Sequence, residues 1–177
     1  GAYMVYNVLA AYAISKLSGI VSFENYQAAV REYHPTNGRL QTFDLGERKV
    51  MTNLAKNPTG FNQNIRIVLN ERGRVLALFV NDNDADGHDV SWFWDIDFER
   101  WSQIKGLRAF VGGTRANDMQ VRLKYAGIQA EIVENVADVL AATGVDDGKV
   151  YIIANYTALP AVRRELEGLE AAAKGEE

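Results

Sequence analysis

The sequence contains no cysteine. Disulfides, thiolate metal sites and a cysteine nucleophile are therefore excluded from this chain. The lack of thiols fits a cytosolic protein. Histidine is almost as scarce, with only His34 and His88. His34 precedes a proline and reads as a loop residue; His88 can titrate, but no nucleophile stands near it in sequence. Basic residues are not in excess: the net charge is −4, which speaks against a broad nucleic-acid or anionic-membrane surface. No apolar run approaches the ~18 residues needed to cross a bilayer. The first residue is glycine, no signal-peptide pattern precedes the first helical stretch, and the chain reads as a fragment of something longer. There is no internal repeat and no low-complexity linker.

What is present is ordinary globular composition, 47% hydrophobic and 24% charged over 177 residues. "YMVYNVLAAYAISKLSG" reads as a buried helix closed by Gly19, and "SFENYQAAVREY" as a second helix with Ser22 as N-cap and Pro35 after its end. "RLQTFDLG" and "RKVMTNL" are short β-like runs around a turn. From there the rhythm is regular. "KNPTG" opens a helix near Phe61–Asn70, and "RVLALFV" is a buried strand. "FERWSQI" is helical, "LRAFVGG" a strand, and "ANDMQVRLKYAG" a helix ended by Gly127. "AEIVE" and "VYIIANY" are strands, each followed by a helix. The tail "KGEE" reads as frayed. Alternation with apolar runs too continuous for a half-wet sheet predicts an α/β fold: a mainly parallel sheet covered on both faces.

In such sheets, sites form at the carboxyl ends of the strands. The polar connections expected there are "NPTG", "NDNDADGHD", "GGTRAND" and "NYTA". The second begins the acidic stretch "NDNDADGHDVSWFWD", which holds five aspartates. Asp82, Asp84, Asp86 and Gly87 match the opening of a calcium-binding EF-hand loop. Phe93, however, stands where the bidentate glutamate belongs, and a strand precedes the loop in place of a helix. A solvated turn with aspartates capping backbone amides explains Asp82, Asn83 and Asp84. It explains "DVSWFWD" less well. Trp92 and Trp94 call for burial, and would carry Asp89 and Asp95 towards the interior, where a carboxylate needs a partner. Structural and functional readings stand level on the residues alone.

Other chemistry is sparse. "GVDDGKV" has neither the spacing nor the Ser/Thr of a phosphate-binding P-loop, and Ser91 lacks a nucleophile-elbow context. Arg115, Asp118 and Arg122 fall at helical spacing, which by default makes a surface ion-pair ladder and otherwise a ligand contact. "GGTR" before a helix is a weak anion-binding signal.

Taken together, "GRLQ…NLAKNPTGFNQ…NDNDADGHDVSWFWDIDFE…GGTRANDMQVRLKYAG…NYTA", from about Arg39 to Thr157, resembles the C-terminal domain of the MurT family, the Mur-ligase-type subunits of lipid II isoglutaminyl synthases. "GAYMVYNVLAA" resembles the close of a Mur ligase central domain, with Tyr3 and Asn7 matching. "GRLQ" and "NLAKNP" resemble two Mur ligase segments in which Gln41, Asn53 and Lys56 replace the usual acid, Asp and His. These departures favour the MurT branch over an amino-acid-adding ligase.

The resemblance implies a division into residues 1–35, the end of the central domain, and 36–177, the C-terminal domain of Mur ligase type. It implies ATP with Mg²⁺ as cofactor, with Asn7 and Arg39 approaching the nucleotide. A phosphate loop and a zinc ribbon are expected upstream of Gly1, with no metal site in this chain. It further implies amidation of the D-glutamate α-carboxyl of lipid II at the inner face of the membrane, with ammonia from a GatD-type glutaminase partner. Within that scheme the loop lends the glutaminase a triad carboxylate: Asp89 first, Asp86 second, Asp95 third. His88, Trp92, Asp95, Arg115 and Arg122 are the further interface or ligand candidates. Rival expectations are a non-catalytic docking module and a Mur-type amino-acid ligase that uses no glutaminase.

Overall fold

The computed structural model describes residues 5–33 and 38–175. Tyr3, His34, Pro35 and the last two residues of "KGEE" lie outside them. The chain divides into two compact units, Gly1–Pro35 and Thr36–Glu177. In the first, α1 (Val5–Ser18) and α2 (Phe23–Glu32) are helical, as the periodicity predicts. Gly19 closes α1 with φ 67°, and the Ser22 side chain caps α2 by accepting from the Asn25 amide. Tyr12 packs against Phe23 and Tyr26, and the Tyr26 hydroxyl donates to the Val8 carbonyl. The expected burial of α1 is not found: none of its residues is buried. Its apolar side chains run around the whole helix, and a two-helix unit offers a wall to one side only.

The second unit is a six-stranded sheet in the order β1-β2-β6-β3-β4-β5. Its strands are β1 (Gln41–Asp44), β2 (Lys49–Leu54), β3 (Val75–Phe79), β4 (Arg108–Gly112), β5 (Ala130–Ile132) and β6 (Val150–Ala154). Only the β1–β2 pairing is antiparallel; β2, β6, β3, β4 and β5 run parallel. Every residue of β3 and β6 is buried. Successive side chains point to opposite faces. Leu76, Leu78, Tyr151 and Ile153 therefore enter one core, with α3 (Pro58–Asn70) and α4 (Ala116–Tyr125). Val75, Ala77, Val150 and Ile152 enter the other, with α5 (Val136–Ala142) and α6 (Leu159–Lys174). Two covered faces are what the continuous apolar strands require.

The β3–β4 crossover carries no α-helix. Two 3₁₀ helices, Ser91–Asp95 and Phe98–Gln103, take its place and bury Phe93, Phe98 and Trp101 in the first core. Near the parallel rim, Asn53 donates to Asn64 Oδ1 at 2.7 Å and accepts from the Leu40 amide at 3.1 Å, while Asn64 donates to the Gly60 carbonyl at 2.8 Å. Both amides are buried, so the pair stabilises only as a complete set. Asn64→Leu leaves Asn53 Nδ2 unpaired, and thermal or urea unfolding should show a loss of about 1–3 kcal/mol. Unchanged stability would show that the pair is not coupled.

Candidate functional site

The parallel strands bring the four polar connections to one rim, as predicted. Asn81, directly after β3, exchanges bonds with Asn155 after β6: its amide donates to Asn155 Oδ1 at 3.0 Å, and Asn155 Nδ2 donates to its carbonyl at 2.7 Å. Asn81 Oδ1 accepts from the Thr114 amide at 2.9 Å, tying in the connection after β4. The Thr157 hydroxyl accepts from Asn81 at 3.1 Å and Asn83 at 2.9 Å, and donates to Asp86 Oδ2. The Thr157 amide donates to Asp86 Oδ1 at 3.0 Å. Gly113, with φ 90°, permits the close approach: a Cβ there would lie 2.4 Å from the Val80 carbonyl oxygen. The contributions of Asn81, Thr114, Asn155 and Thr157 are absent from a residue-by-residue reading. Their signal lay in the rim topology, which groups "NDN", "GGT" and "NYT".

The aspartates do not converge. Asp82 accepts from the Thr114 hydroxyl at 2.7 Å and pairs with Arg115 at 2.8 Å, and these contacts hold its carboxyl below the usual range, the hydroxyl bond foremost. Arg115 also reaches Asp118 at 3.3 Å, and Asp82 in turn raises the guanidinium's pKa. The amides of Thr114 and Arg115 are engaged by Asn81 and the Val80 carbonyl, which weakens the anion reading of "GGTR". Asp84 faces His88 at 3.2 Å, both exposed. Asp86 turns inward to Thr157. Gly87, with φ 82°, takes the left-handed conformation at the turn that follows it. Among the described residues, no three His, Cys, Asp or Glu side chains are grouped to hold a metal ion.

Asp89 differs from the others. It is exposed, and Ser91 holds its carboxyl through hydroxyl and amide, the amide donating to Oδ1 at 2.8 Å. The hydroxyl bond first and the amide bond second keep this carboxyl below its usual range. The side chain is thus an ionised, oriented carboxylate directed at solvent. Asp89 and Asp95 do not go inward as the flanking tryptophans suggest; both are exposed. Trp92 is partly buried against Phe61 and Phe93, whereas Trp94 is 55% exposed. The 3₁₀ path puts Phe93 into the core, and its neighbours cannot all follow it.

Arg115 lies on the surface, but Arg122 leaves the expected ladder. It is buried, donates to the Phe93 carbonyl at 3.1 Å and to the Ile96 carbonyl, and pairs with Glu99 at 2.9 Å. The Trp94 and Phe98 rings lie 5.4 and 5.3 Å from its guanidinium. It secures the segment that follows Asp89. Asn7 is exposed on α1, in the first unit; Arg39 is exposed ahead of β1, in the second.

The Asp86–Thr157 latch is open to a direct test. Thr157→Val removes the hydroxyl but keeps the shape. It should cost about 1–2 kcal/mol and speed amide exchange across residues 82–90, with the sheet core unaffected. Uniform exchange behaviour would mean that the loop is held elsewhere.

Comparison with known proteins agrees with this architecture. Residues 54–159 match the family model described as MurT ligase C-terminal. The chain is 35% identical over 169 residues to the MurT subunit of lipid II isoglutaminyl synthase (glutamine-hydrolyzing) from Staphylococcus aureus, covering 94% of this chain and 38% of that protein. The Streptococcus pneumoniae MurT subunit is likewise 35% identical, over 90% of this chain and 36% of its own length. The chain thus spans well under half the length of these relatives. Among solved structures, the UDP-N-acetylmuramate-alanine ligase MurC of Thermotoga maritima superposes with a TM-score of 0.65 at 15% identity, over 97% of this chain and 39% of that one. Sequence match and sheet topology together place this chain in the MurT ligase C-terminal family.

Proposed function

We propose that the chain is the part of a glutamine-hydrolysing lipid II isoglutaminyl synthase that docks a glutaminase subunit and lends it Asp89. The observation that carries this reading is the contrast between two neighbouring carboxylates. Asp86 is spent on Thr157 within the fold, while Asp89 is oriented by Ser91 and left facing outward. A thiol nucleophile needs a histidine base, and that histidine needs a carboxylate to fix its tautomer and stabilise its imidazolium form. The chain supplies an oriented carboxylate and no thiol. On this reading the partner's thiolate attacks the glutamine carboxamide carbon, and the C–N bond breaks. The histidine passes its proton to the leaving nitrogen, which departs as ammonia. Asp89 stays ionised throughout and acts on the histidine alone. The ammonia then displaces phosphate from the activated D-glutamate α-carboxyl of lipid II.

ATP with Mg²⁺ supplies that activation when bound to the whole protein. On this reading Asn7, which borders an apolar groove of about 310 Å³ with Val8, Ala11 and Tyr26 within the first unit, would approach the nucleotide base. Arg39, exposed in the second unit, would be a separate phosphate contact. A zinc ribbon has no thiolate ligand here, so on this reading it lies upstream. No helix among the described residues is long and apolar enough to cross a membrane.

The test is reconstitution of the full-length protein with a glutamine-hydrolysing subunit, ATP and lipid II. Amidated lipid II formed from glutamine supports the reading. Amino-acid incorporation that is indifferent to the second subunit would favour an amino-acid ligase and sink it. Within that assay, Asn7→Ala and Arg39→Ala should each raise the KM for ATP several-fold and leave glutamine hydrolysis alone. Unchanged ATP dependence in both removes them from the nucleotide site.

A further inference from the structure

We infer that Asn53 and Gln41 are positioning residues for the nucleotide: they hold the turn Gly38–Arg39–Leu40 in a left-handed course that presents Arg39 at the carboxyl rim. This rests on the reading above in which Arg39 is a phosphate contact. The starting observation is backbone strain. Among the described residues, two that are not glycine have positive φ, Leu40 at 51° and Arg72 at 55°. Arg72 closes α3: its amide donates to the Leu69 carbonyl and the Gly73 amide to the Val68 carbonyl, the ordinary left-handed end of a helix. Leu40 ends no helix. It stands one residue ahead of β1, and a left-handed leucine there costs energy that its surroundings must offset.

Those surroundings are specific. The Leu40 amide donates to Asn53 Oδ1 at 3.1 Å, and the Leu40 side chain packs on the first core. Asn53 is itself fixed, since its Nδ2 donates to Asn64 Oδ1 at 2.7 Å. On the other side of Arg39, the Gly38 amide donates to Gln41 Oε1 at 3.0 Å, and the Gly38 carbonyl accepts from the Leu54 amide at 2.9 Å. Gly38, with φ 70°, lies so close to α6 that a Cβ would come 2.6 Å from Leu159 Cδ2. The residue between these two held positions is Arg39, exposed and without a carboxylate partner among the described residues. Leu54 ends β2, so the turn sits against the carboxyl end of a strand in the parallel part of the sheet. A long cationic side chain loses freedom when it grips an anion, and fixing its backbone beforehand lowers the remaining cost. Asn53 is 4% exposed with both ends of its amide engaged, so it acts on a ligand only through Arg39.

The experiment uses the full-length protein alone. It measures affinity for ATP with Mg²⁺ by titration calorimetry, and backbone hydrogen exchange across residues 38–42. Asn53→Ala and Gln41→Ala should each weaken ATP binding about three- to tenfold, which corresponds to one hydrogen bond, and should speed that exchange. In an Arg39→Ala background neither should weaken binding further, because both act through that side chain. A merely structural role would leave the losses independent of Arg39. Gln41 is partly exposed, so Gln41→Ala carries the test even where Asn53→Ala fails to fold. Wild-type ATP affinity in Gln41→Ala and in folded Asn53→Ala overturns the inference, and so do losses that multiply with that of Arg39→Ala. Wild-type affinity in Arg39→Ala itself removes Arg39 from the nucleotide and the inference with it. None of these measurements needs glutamine, lipid II or a second subunit, so the positioning role can fail while the proposed amidation stands, and the reverse.

Discussion

On the function proposed above, Asp89→Asn in the full-length protein, paired with a glutamine-hydrolysing subunit, should lower glutamine-dependent amidation roughly a hundredfold or more and spare amidation driven by free ammonium. The substitution keeps shape and the Ser91 contacts can largely persist, so the change is one of charge. Loss of the orienting acid in a serine-protease triad costs on the order of 10⁴ in turnover, because the histidine takes the wrong tautomer. A cysteine depends less on its base, which sets the smaller expectation. Free ammonium bypasses the thiol altogether, so its retained use separates a failed glutaminase from a misfolded ligase.

The sign of the pH dependence follows from the same carboxylate. The Ser91 bonds hold Asp89 below its ordinary pKa in the folded protein. Their contribution is present above the ordinary carboxylate range and is lost as pH falls through the depressed value. The acidic limb of glutaminase activity should therefore track the partner's histidine, and Asp89→Glu should not move it into the neutral range. A limb shifted by Asp89→Glu would mean that the two groups titrate together. Loss of activity in Asp86→Asn with Asp89→Asn intact would transfer the role to Asp86.

The second large effect is expected at a residue with no part in the chemistry. Arg122→Met should destabilise the fold by about 3 kcal/mol, since it removes two charge-assisted hydrogen bonds worth about 1.5–3 kcal/mol each and leaves the Phe93 and Ile96 carbonyls with one backbone donor apiece. At roughly 2–4 °C per kcal/mol, the unfolding midpoint should fall by roughly 6–12 °C. Near-UV circular dichroism should change at once, because Trp94 and Phe98 lose the cation beside them. Arg122→Lys should recover less than half of the loss. One ammonium cannot reach both carbonyls and Glu99 as the planar guanidinium does. A midpoint within about 2 °C of wild type in Arg122→Met would show that water takes over those carbonyls.

The element order was legible because periodicity is local. Leu76 and Leu78 alternate with Val75 and Ala77, so β3 announces a strand covered on both faces, and Met119 with Leu123 announces the inner side of α4. The rim followed as well, since parallel strands must place "NDN", "GGT" and "NYT" at one end. The family could likewise be read, because its motifs are contiguous. Three further matters were settled only in three dimensions. Arg122 looked like a rung of a surface ladder with Arg115 and Asp118, yet its side chain crosses to carbonyls more than twenty residues earlier in the chain. Trp92 and Trp94 looked alike, but a 3₁₀ path with three residues per turn sends Trp92 against the core and Trp94 to the surface. Asp86 and Asp89, three positions apart, were ranked but not separated. Thr157, 71 positions beyond Asp86, captures its carboxylate, while Ser91 holds Asp89 from within the same turn and leaves it facing outward. Composition and pattern determine which groups reach the rim; partners distant in sequence decide which of them stays available.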